Sequence, residues 1–135
     1  MVSMVAKYTG QKHCEIIHGP SESQIEKDAP KDNQGRGERF SPTDLVGAAL
    51  ASCILTTMAI VAEREGLNLD GATAEVEKHM ATDPRRIGSL PIKVTLPDSL
   101  SQEQRMKLER AAHHCPVKIS LHPNIALIIN FAYHS

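Results

Sequence analysis

The sequence is poor in aromatic residues and contains no tryptophan. Its 135 residues include two Tyr and two Phe, too few for the stacking platforms on which single-stranded nucleic acids bind. The charges also balance, with 15 Lys and Arg against 16 Asp and Glu, so the chain offers no broad basic surface for a phosphate backbone. We therefore expect no nucleic-acid partner.

Cysteines are few, and none lies in a closely spaced pair. The residues Cys14, Cys53 and Cys115 are an odd number with wide separations, which does not fit the framework of a small secreted disulfide protein. The first ten residues lack the apolar segment that is typical of a signal peptide. We therefore expect a cytoplasmic protein with reduced thiols.

The length of the chain corresponds to one domain, over residues 1–135. In its first third, short runs that contain β-branched residues predict a hairpin over 2–8 and 14–18 and a third strand over 24–27. Residues 28–39 follow with no apolar period. A loop of this length is unusual in a compact domain, and it is either a functional loop that presents arginines or a disordered connection.

A long helix is predicted to begin after Ser41. Ser41 is a favourable N-cap, Pro42 suits the first helical position and Asp44 fits a capping box. Residues 45–62 then carry no charge, and Gly66 is a typical helix stop.

This charge-free run reaches the lower length limit of a membrane span. Its Ser and Thr residues and its acidic flanks instead favour a buried helix, so we expect no membrane association. Because a chain of 135 residues has difficulty covering such a helix on all sides, we expect a second subunit to cover part of it.

The second half of the chain returns to strands. Alternating apolar residues predict an antiparallel hairpin over 72–79 and 87–96. Ser101 is predicted to cap a second helix, which a short helix over 117–121 and a final strand over 125–133 follow. This order of elements predicts an α+β fold in which an antiparallel sheet wraps around the long helix.

Two cysteines lie on stripes that are expected to face the core. Cys53 lies in the long helix, and Cys115 precedes Pro116 at a helix start, where the helix dipole and free N–H groups stabilise a thiolate. With His113 and His114 beside it, Cys115 is expected to be the more acidic thiol. Each cysteine taken alone is also consistent with a structural role, Cys53 as a small core residue and Cys115 as a capping or core residue.

The two thiols become informative as a pair. If their Cα atoms lie within ~7 Å, they can cycle between dithiol and disulfide, which is the minimum needed to reduce a peroxide through a sulfenic acid. A thiolate in an apolar pocket needs a cation, for which Arg36 and Arg39 are candidates, with Asp44 as the carboxylate that holds the arginine. Cys14, on a predicted edge strand, is interpreted as structural.

A metal centre is the competing interpretation of the histidine-rich segment. The set His113, His114, Cys115 and His122 matches no standard zinc spacing. We therefore expect no metal and no other cofactor, and we expect His122 to lie in a turn.

Three segments resemble the OsmC/Ohr family of osmotically inducible and organic hydroperoxide resistance proteins. They are Ser41-Pro42-Thr43-Asp44-Leu45, Ala48-Ala49-Leu50-Ala51-Ser52-Cys53 and Cys115-Pro116-Val117. The resemblance implies an OsmC-like fold and an intertwined homodimer with its active sites at the subunit interface. It also implies that Cys53 attacks and Cys115 resolves, the reverse of the order that local electrostatics favours. Thr43 stands where peroxidases of the family carry Glu.

The predicted function is therefore the thiol-dependent reduction of organic hydroperoxides in oxidative stress defence. Its partners would be a small-molecule hydroperoxide and a dithiol reductant. A non-catalytic ligand-binding or structural dimer is the alternative, and a metal or thiol-transfer protein is a third interpretation.

Overall fold

The chain divides into two compact units, Met1–Val46 and a second that begins at Gly47. The computed structural model describes residues 1–134. The boundary falls inside the long helix, so the first turn of that helix belongs to the first unit and the remainder to the second.

The first unit contains an antiparallel three-stranded sheet, as predicted. Its strands are β1 (Met4–Gly10), β2 (His13–His18) and β3 (Gln24–Asp28), in the order β1-β2-β3. The placement of Cys14 on an edge strand was wrong, because β3 pairs with the far side of β2 and makes β2 the central strand.

One face of this sheet is mostly apolar. Residues that pair directly across antiparallel strands share a face. On this face His18 and Lys27 accompany six apolar residues, which we name the β1–β3 apolar face: Met4, Ala6, Tyr8, Cys14, Ile16 and Ile25. Tyr8 is 62% exposed and Ile25 is 46% exposed. Among residues 1–46, only the polar Asp28 and Ser41 are fully buried. The sheet therefore has no apolar core within its own unit.

Backbone hydrogen bonds fix the conformation of the long loop after β3, which is therefore not a disordered connection. The Asp28 N–H donates to the Phe40 carbonyl at 3.1 Å, and the Gly37 N–H donates to the Ala29 carbonyl at 3.1 Å. A Cβ atom at Gly35 would lie 1.8 Å from the Ala29 carbonyl oxygen. The loop therefore folds back closely enough that only glycine fits at position 35.

The long helix, α1, spans Pro42–Arg64, with both ends where the sequence predicts them. The Ser41 N–H donates to Asp44 Oδ2 at 2.9 Å, and the Asp44 N–H donates to Ser41 Oγ at 3.0 Å, which forms a reciprocal capping box. At the other end Gly66 adopts a left-handed φ of 70°, which terminates the helix.

The chain itself covers one side of α1. Leu50, Ile54 and Met58 are fully buried and form part of the core of the second unit. The opposite side exposes Ser52 and Thr56, and Ile60 there is 48% exposed. By length and composition α1 is long and apolar enough to cross a membrane, a property that it shares with core helices of soluble proteins. Of its most apolar 18-residue segment, 33% is buried.

The second unit contains a mixed sheet centred on β6. Its strands are β4 (Thr73–Val76), β5 (His79–Ala81), β6 (Arg86–Pro97) and β7 (Ala126–His134). The α+β class is confirmed, and β4 and β5 are antiparallel to β6, but β7 is parallel to it. The expectation of purely antiparallel pairing was therefore wrong, because two helices lie between β6 and β7 and carry the chain back to the same end of the sheet.

The strand predicted over 72–79 is divided into β4 and β5. The Glu77 N–H donates to the Pro91 carbonyl at 3.0 Å. Pro91 has no N–H to return that bond, so the ladder is interrupted opposite the proline.

Two helices connect β6 to β7. They are α2 (Gln102–Ala112), which the predicted Ser101 capping box starts, and α3 (Pro116–Ser120). Tyr133 Oη donates to Glu109 Oε2 at 2.5 Å, and the Arg105 guanidinium lies 4.1 Å from the centre of the Tyr133 ring. These contacts hold α2 against β7 and so fix the start of α3, where Cys115 lies.

Candidate functional site

The structure brings the Cys53 and Cys115 side chains together. Cys53 lies on α1, and Cys115 is the N-cap of α3, where its Sγ accepts a hydrogen bond from the Lys118 N–H at 3.3 Å. The two thiols are close enough for Cys53 to raise the pKa of the Cys115 thiol. Both belong to the second unit and pack in or against one apolar cluster. The distance between the two cysteines along the sequence does not by itself predict this proximity.

The two thiols differ in exposure. Cys115 is 0% exposed, whereas Cys53 is partly exposed. Burial raises the pKa of the Cys115 thiol, the Lys118 N–H bond opposes the rise, and the neighbouring Cys53 adds to it. The expectation that the helix start lowers the pKa of the Cys115 thiol was therefore wrong, because burial outweighs the effect of the helix start.

The adjacent histidines have other contacts. His113 packs edge-on against Phe131, with ring centres 6.3 Å apart. His114 Nδ1 donates to the Arg110 carbonyl at 2.8 Å. Both imidazole side chains thus have partners of their own beside the cysteine.

Cys53 also contacts Thr57, whose Oγ1 lies 3.9 Å from the sulfur. Thr57 lines a groove of about 400 Å³, which we name the α1–α2 groove. Its lining residues are Thr57, Val61, Arg64, Lys107, Arg110, Ala111 and His114. A larger groove of about 450 Å³ involves Leu55, Ala59 and the segment after α1, and neither cysteine lines it.

The predicted arginine and carboxylate partners lie in the first unit. Arg39 Nε is 3.4 Å from Glu26 Oε2, and Arg36 lies 3.6 Å from Asp28 Oδ1. Asp44 caps α1. Their role in supporting the thiolate remains a prediction.

A histidine–carboxylate cluster in the first unit was missed by the sequence analysis. His13 Nδ1 lies 2.6 Å from Asp28 Oδ1, and its Nε2 lies 3.3 Å from Glu26 Oε1. The hydrogen bond to Asp28 raises the pKa of His13, and the same bond lowers the pKa of Asp28. Only the register, which pairs His13 with Asp28 across β2 and β3, could have indicated this cluster.

Over residues 1–134, no group of three or more His, Cys, Asp or Glu side chains could hold a metal ion. His122 lies in a turn, as predicted, and its Nδ1 accepts from the Asn124 N–H at 3.0 Å. The absence of a cofactor remains a prediction.

Solved structures share this architecture. A Psychrobacter arcticus protein, described as a candidate osmotic stress induced and detoxification response protein, is 40% identical with a TM-score of 0.92, covering 97% of this chain and 96% of its own. An OsmC-like protein from Mycoplasma pneumoniae is 16% identical with a TM-score of 0.83, covering 100% and 98%. The organic hydroperoxide resistance protein OhrB of Bacillus subtilis is 19% identical with a TM-score of 0.69, covering 97% of each chain. The last two similarities show the fold alone.

A search of curated proteins returned no significant match. The family described as OsmC-like protein matches residues 35–130, a segment that contains α1, both site cysteines and most of the mixed sheet. With a structural relative that is 40% identical over nearly its whole length, this match identifies the chain as a member of the OsmC-like protein family.

Proposed function

We propose that the protein is a thiol-dependent peroxidase that reduces organic hydroperoxides, with Cys53 as the attacking thiolate and Cys115 as the resolving thiol. The observation that carries the proposal is the contact between a partly exposed and a fully buried thiol. Of the two residues only Cys53 is in contact with solvent, so a peroxide is expected to reach it first. The buried Cys115 thiol, whose raised pKa keeps it protonated, lies next to Cys53 and is available for the second step.

The reaction balances with these two residues and an external reductant. The Cys53 thiolate attacks the O–O bond of the hydroperoxide, which gives a Cys53 sulfenic acid and an alkoxide that takes up a proton as the alcohol. Cys115 then attacks the Cys53 sulfur, and a water molecule leaves as the disulfide forms. A dithiol reductant returns both cysteines to thiols and is itself oxidised to a disulfide.

Arg39 is the proposed cation for the thiolate, with Arg36 as its alternative and Asp44 as the proposed carboxylate. The Arg39 side chain is 57% exposed, and its ion pair with Glu26 is long, at 3.4 Å. Surface ion pairs of this kind contribute at most about 1 kcal/mol, so the guanidinium can exchange partners at little cost.

The similarity to other proteins supports the same proposal. OhrB of Bacillus subtilis is named for resistance to organic hydroperoxides, and the Psychrobacter arcticus relative is described as a detoxification response protein. For this chain we propose a cytoplasmic role in oxidative stress defence, because each new catalytic cycle needs both cysteines in the reduced state.

Consumption of a bulky organic hydroperoxide in the presence of a dithiol tests the proposal. We expect Cys53→Ser to reduce the rate to background. We expect Cys115→Ser to abolish steady turnover while one equivalent of hydroperoxide still oxidises Cys53 to the sulfenic acid, which mass spectrometry detects. In the wild type, the same equivalent should give a Cys53–Cys115 disulfide.

Cys14→Ser is the matched control, because it removes the third thiol from the sheet of the first unit and should leave the rate unchanged. Equal rates for the wild type and Cys53→Ser would refute the proposal. The non-catalytic ligand-binding or structural dimer would then be the better interpretation.

A further inference from the structure

Three neighbouring hydroxyl groups of α1 differ in their contacts. Ser52 Oγ donates to the Ala49 carbonyl at 3.1 Å, and Thr56 Oγ1 donates to the Ser52 carbonyl at 2.9 Å. Such bonds to the preceding turn are the ordinary arrangement of Ser and Thr within a helix. The Thr57 hydroxyl instead faces the Cys53 sulfur, at 3.9 Å. Its proton is therefore available to the sulfur rather than to the backbone.

We propose that Thr57 is a catalytic residue whose hydroxyl donates a hydrogen bond to the Cys53 thiolate and so favours ionisation of that thiol. The inference rests on the proposed function, in which Cys53 attacks the hydroperoxide, and it adds a residue that contacts the reacting sulfur. Residues four positions apart lie on one face of a helix, so α1 alone holds the two side chains together.

The surroundings of the Cys53 sulfur create the need for such a donor. The side chain packs against the apolar cluster of the second unit, where an anion loses hydration. It lies about three turns after Pro42, beyond the first turn to which the effect of the helix dipole is confined. At the start of α3, the Lys118 N–H donates to the other sulfur, Cys115 Sγ. Thr57 therefore supplies a local donor in addition to the proposed arginine.

The length of the contact fits a pair of neutral groups. A thiol sulfur is a weak acceptor, and 3.9 Å is long for a hydrogen bond. Hydrogen bonds to an ionised acceptor are shorter and about twice as strong as those between neutral groups, and catalytic hydrogen bonds often tighten only in the reacting complex. We therefore expect the contact between Thr57 and Cys53 to shorten when the thiol ionises.

The pH dependence of alkylation tests the hydrogen bond without any hydroperoxide. The reduced protein is treated with iodoacetamide at a series of pH values, and peptide mass spectrometry gives the rate at Cys53 alone. Because the thiolate is the reacting form, the midpoint of this profile reports its formation. We expect Thr57→Val, which keeps the branched shape without the hydroxyl, to raise the midpoint by about 0.5–1 pH unit. Thr57→Ser, which keeps the hydroxyl, should restore the wild-type profile.

Thr56→Val is the matched control, because it removes the neighbouring hydroxyl, which is bonded to a backbone carbonyl. Its profile should coincide with that of the wild type. Thr57→Ala also lacks the hydroxyl and should repeat the effect of Thr57→Val, and circular dichroism verifies that the variants fold.

Three results would overturn the inference. The first is an unchanged midpoint in the folded variants that lack the Thr57 hydroxyl. The second is a raised midpoint that Thr57→Ser shares. The third is a rate that falls by the same factor at every pH, since this indicates a change in access to the sulfur rather than in its ionisation.

A parallel measurement of hydroperoxide consumption separates this inference from the proposed function. With a dithiol present, we expect Thr57→Val to lower kcat/KM for the hydroperoxide at acidic pH and to approach the wild type at alkaline pH. If Thr57→Val raises the alkylation midpoint but the wild type consumes no hydroperoxide, the hydrogen bond stands and the peroxidase proposal fails. If the wild type consumes hydroperoxide and the midpoint is unchanged, the proposed function stands and the role of Thr57 is refuted.

Discussion

At the scale of the residue, Asp28 joins the long loop to the sheet of the first unit. The carboxylate is 1% exposed. One oxygen faces His13 and Arg36, and the other accepts from the Glu38 N–H at 3.2 Å. His13 also pairs with Glu26, and Glu26 in turn pairs with Arg39. Strand and loop are therefore held by one cluster of charges.

The stability of the protein should depend on pH through this cluster. The raised pKa of His13 means that its contribution is complete below 6.5 and is lost as pH rises through the raised value. The lowered pKa of Asp28 means that its contribution is complete above 3.8 and is lost as pH falls through the lowered value. The pair is therefore expected to stabilise the fold most between these limits.

Thermal unfolding across pH 5–9 measures the effect. We expect the melting temperature of the wild type to fall on the alkaline side, and we expect His13→Gln to be less stable at pH 5 with a flatter profile. His18→Gln, on the same strand, removes a histidine that bonds to Ser21 rather than to a carboxylate. It should retain the slope of the wild type, and an unchanged slope in His13→Gln would contradict the argument.

The candidate site could be predicted from the sequence only in part. The helix positions of Cys53 and Cys115 followed from local signals, because capping residues and apolar stripes act over a few positions. The acidity of Cys115 was misjudged because burial depends on the packing of distant segments.

At the scale of the element, α2 presents one buried and one exposed side. Leu108 is 0% exposed and belongs to the core, whereas Met106, two positions earlier, is 55% exposed. Because α2 leads directly to Cys115, the packing of this helix also determines where the resolving thiol lies.

Leu108 on the buried side of α2 and Met106 on its exposed side give a matched pair of substitutions. We expect Leu108→Ala to lower the free energy of unfolding by about 2–5 kcal/mol, as buried leucines do when a cavity replaces them. Met106→Ala should change it by less than about 0.5 kcal/mol. Urea denaturation measures both, and comparable losses for the two variants would contradict the assignment of the buried side.

The elements themselves were predictable where their causes are local. The reciprocal caps at Ser41 and Ser101 and the stop at Gly66 set helix ends within a few residues. The direction of β7 was not predictable from its own apolar pattern, which is the same for either direction of pairing. The break between β4 and β5 depends on Pro91, a residue on another strand.

At the scale of the whole molecule, two surfaces with exposed apolar residues remain uncovered within their own units. One is the β1–β3 apolar face, and the other is the side of α1 that carries Ser52, Thr56 and Ile60. A three-stranded sheet needs a partner for its apolar face to be stable in water. We propose that a second copy of the chain provides this cover, in the homodimer that the family resemblance implies.

Sedimentation velocity at low micromolar concentration tests the homodimer. We expect the wild type to sediment as a dimer, and we expect Ile25→Asp to raise the dissociation constant at least about 100-fold, because a buried apolar contact is lost and a charge is desolvated. Gln24→Asp places the same charge on the opposite face of β3 and should preserve the dimer. A monomeric wild type, or equal effects of the two variants, would exclude this interface, and circular dichroism verifies that both variants fold.

The position of β6 has a consequence for the tolerance of the second unit to insertions. Three strands form ladders with β6, and Leu90, Ile92 and Val94 all point from it into the core. A slip of one residue would turn each of these side chains towards solvent and would misalign all three ladders at once. An insertion or deletion within β6 is therefore expected to destabilise the second unit. The same change in the turn over 82–85, which precedes β6, should leave the strand register intact.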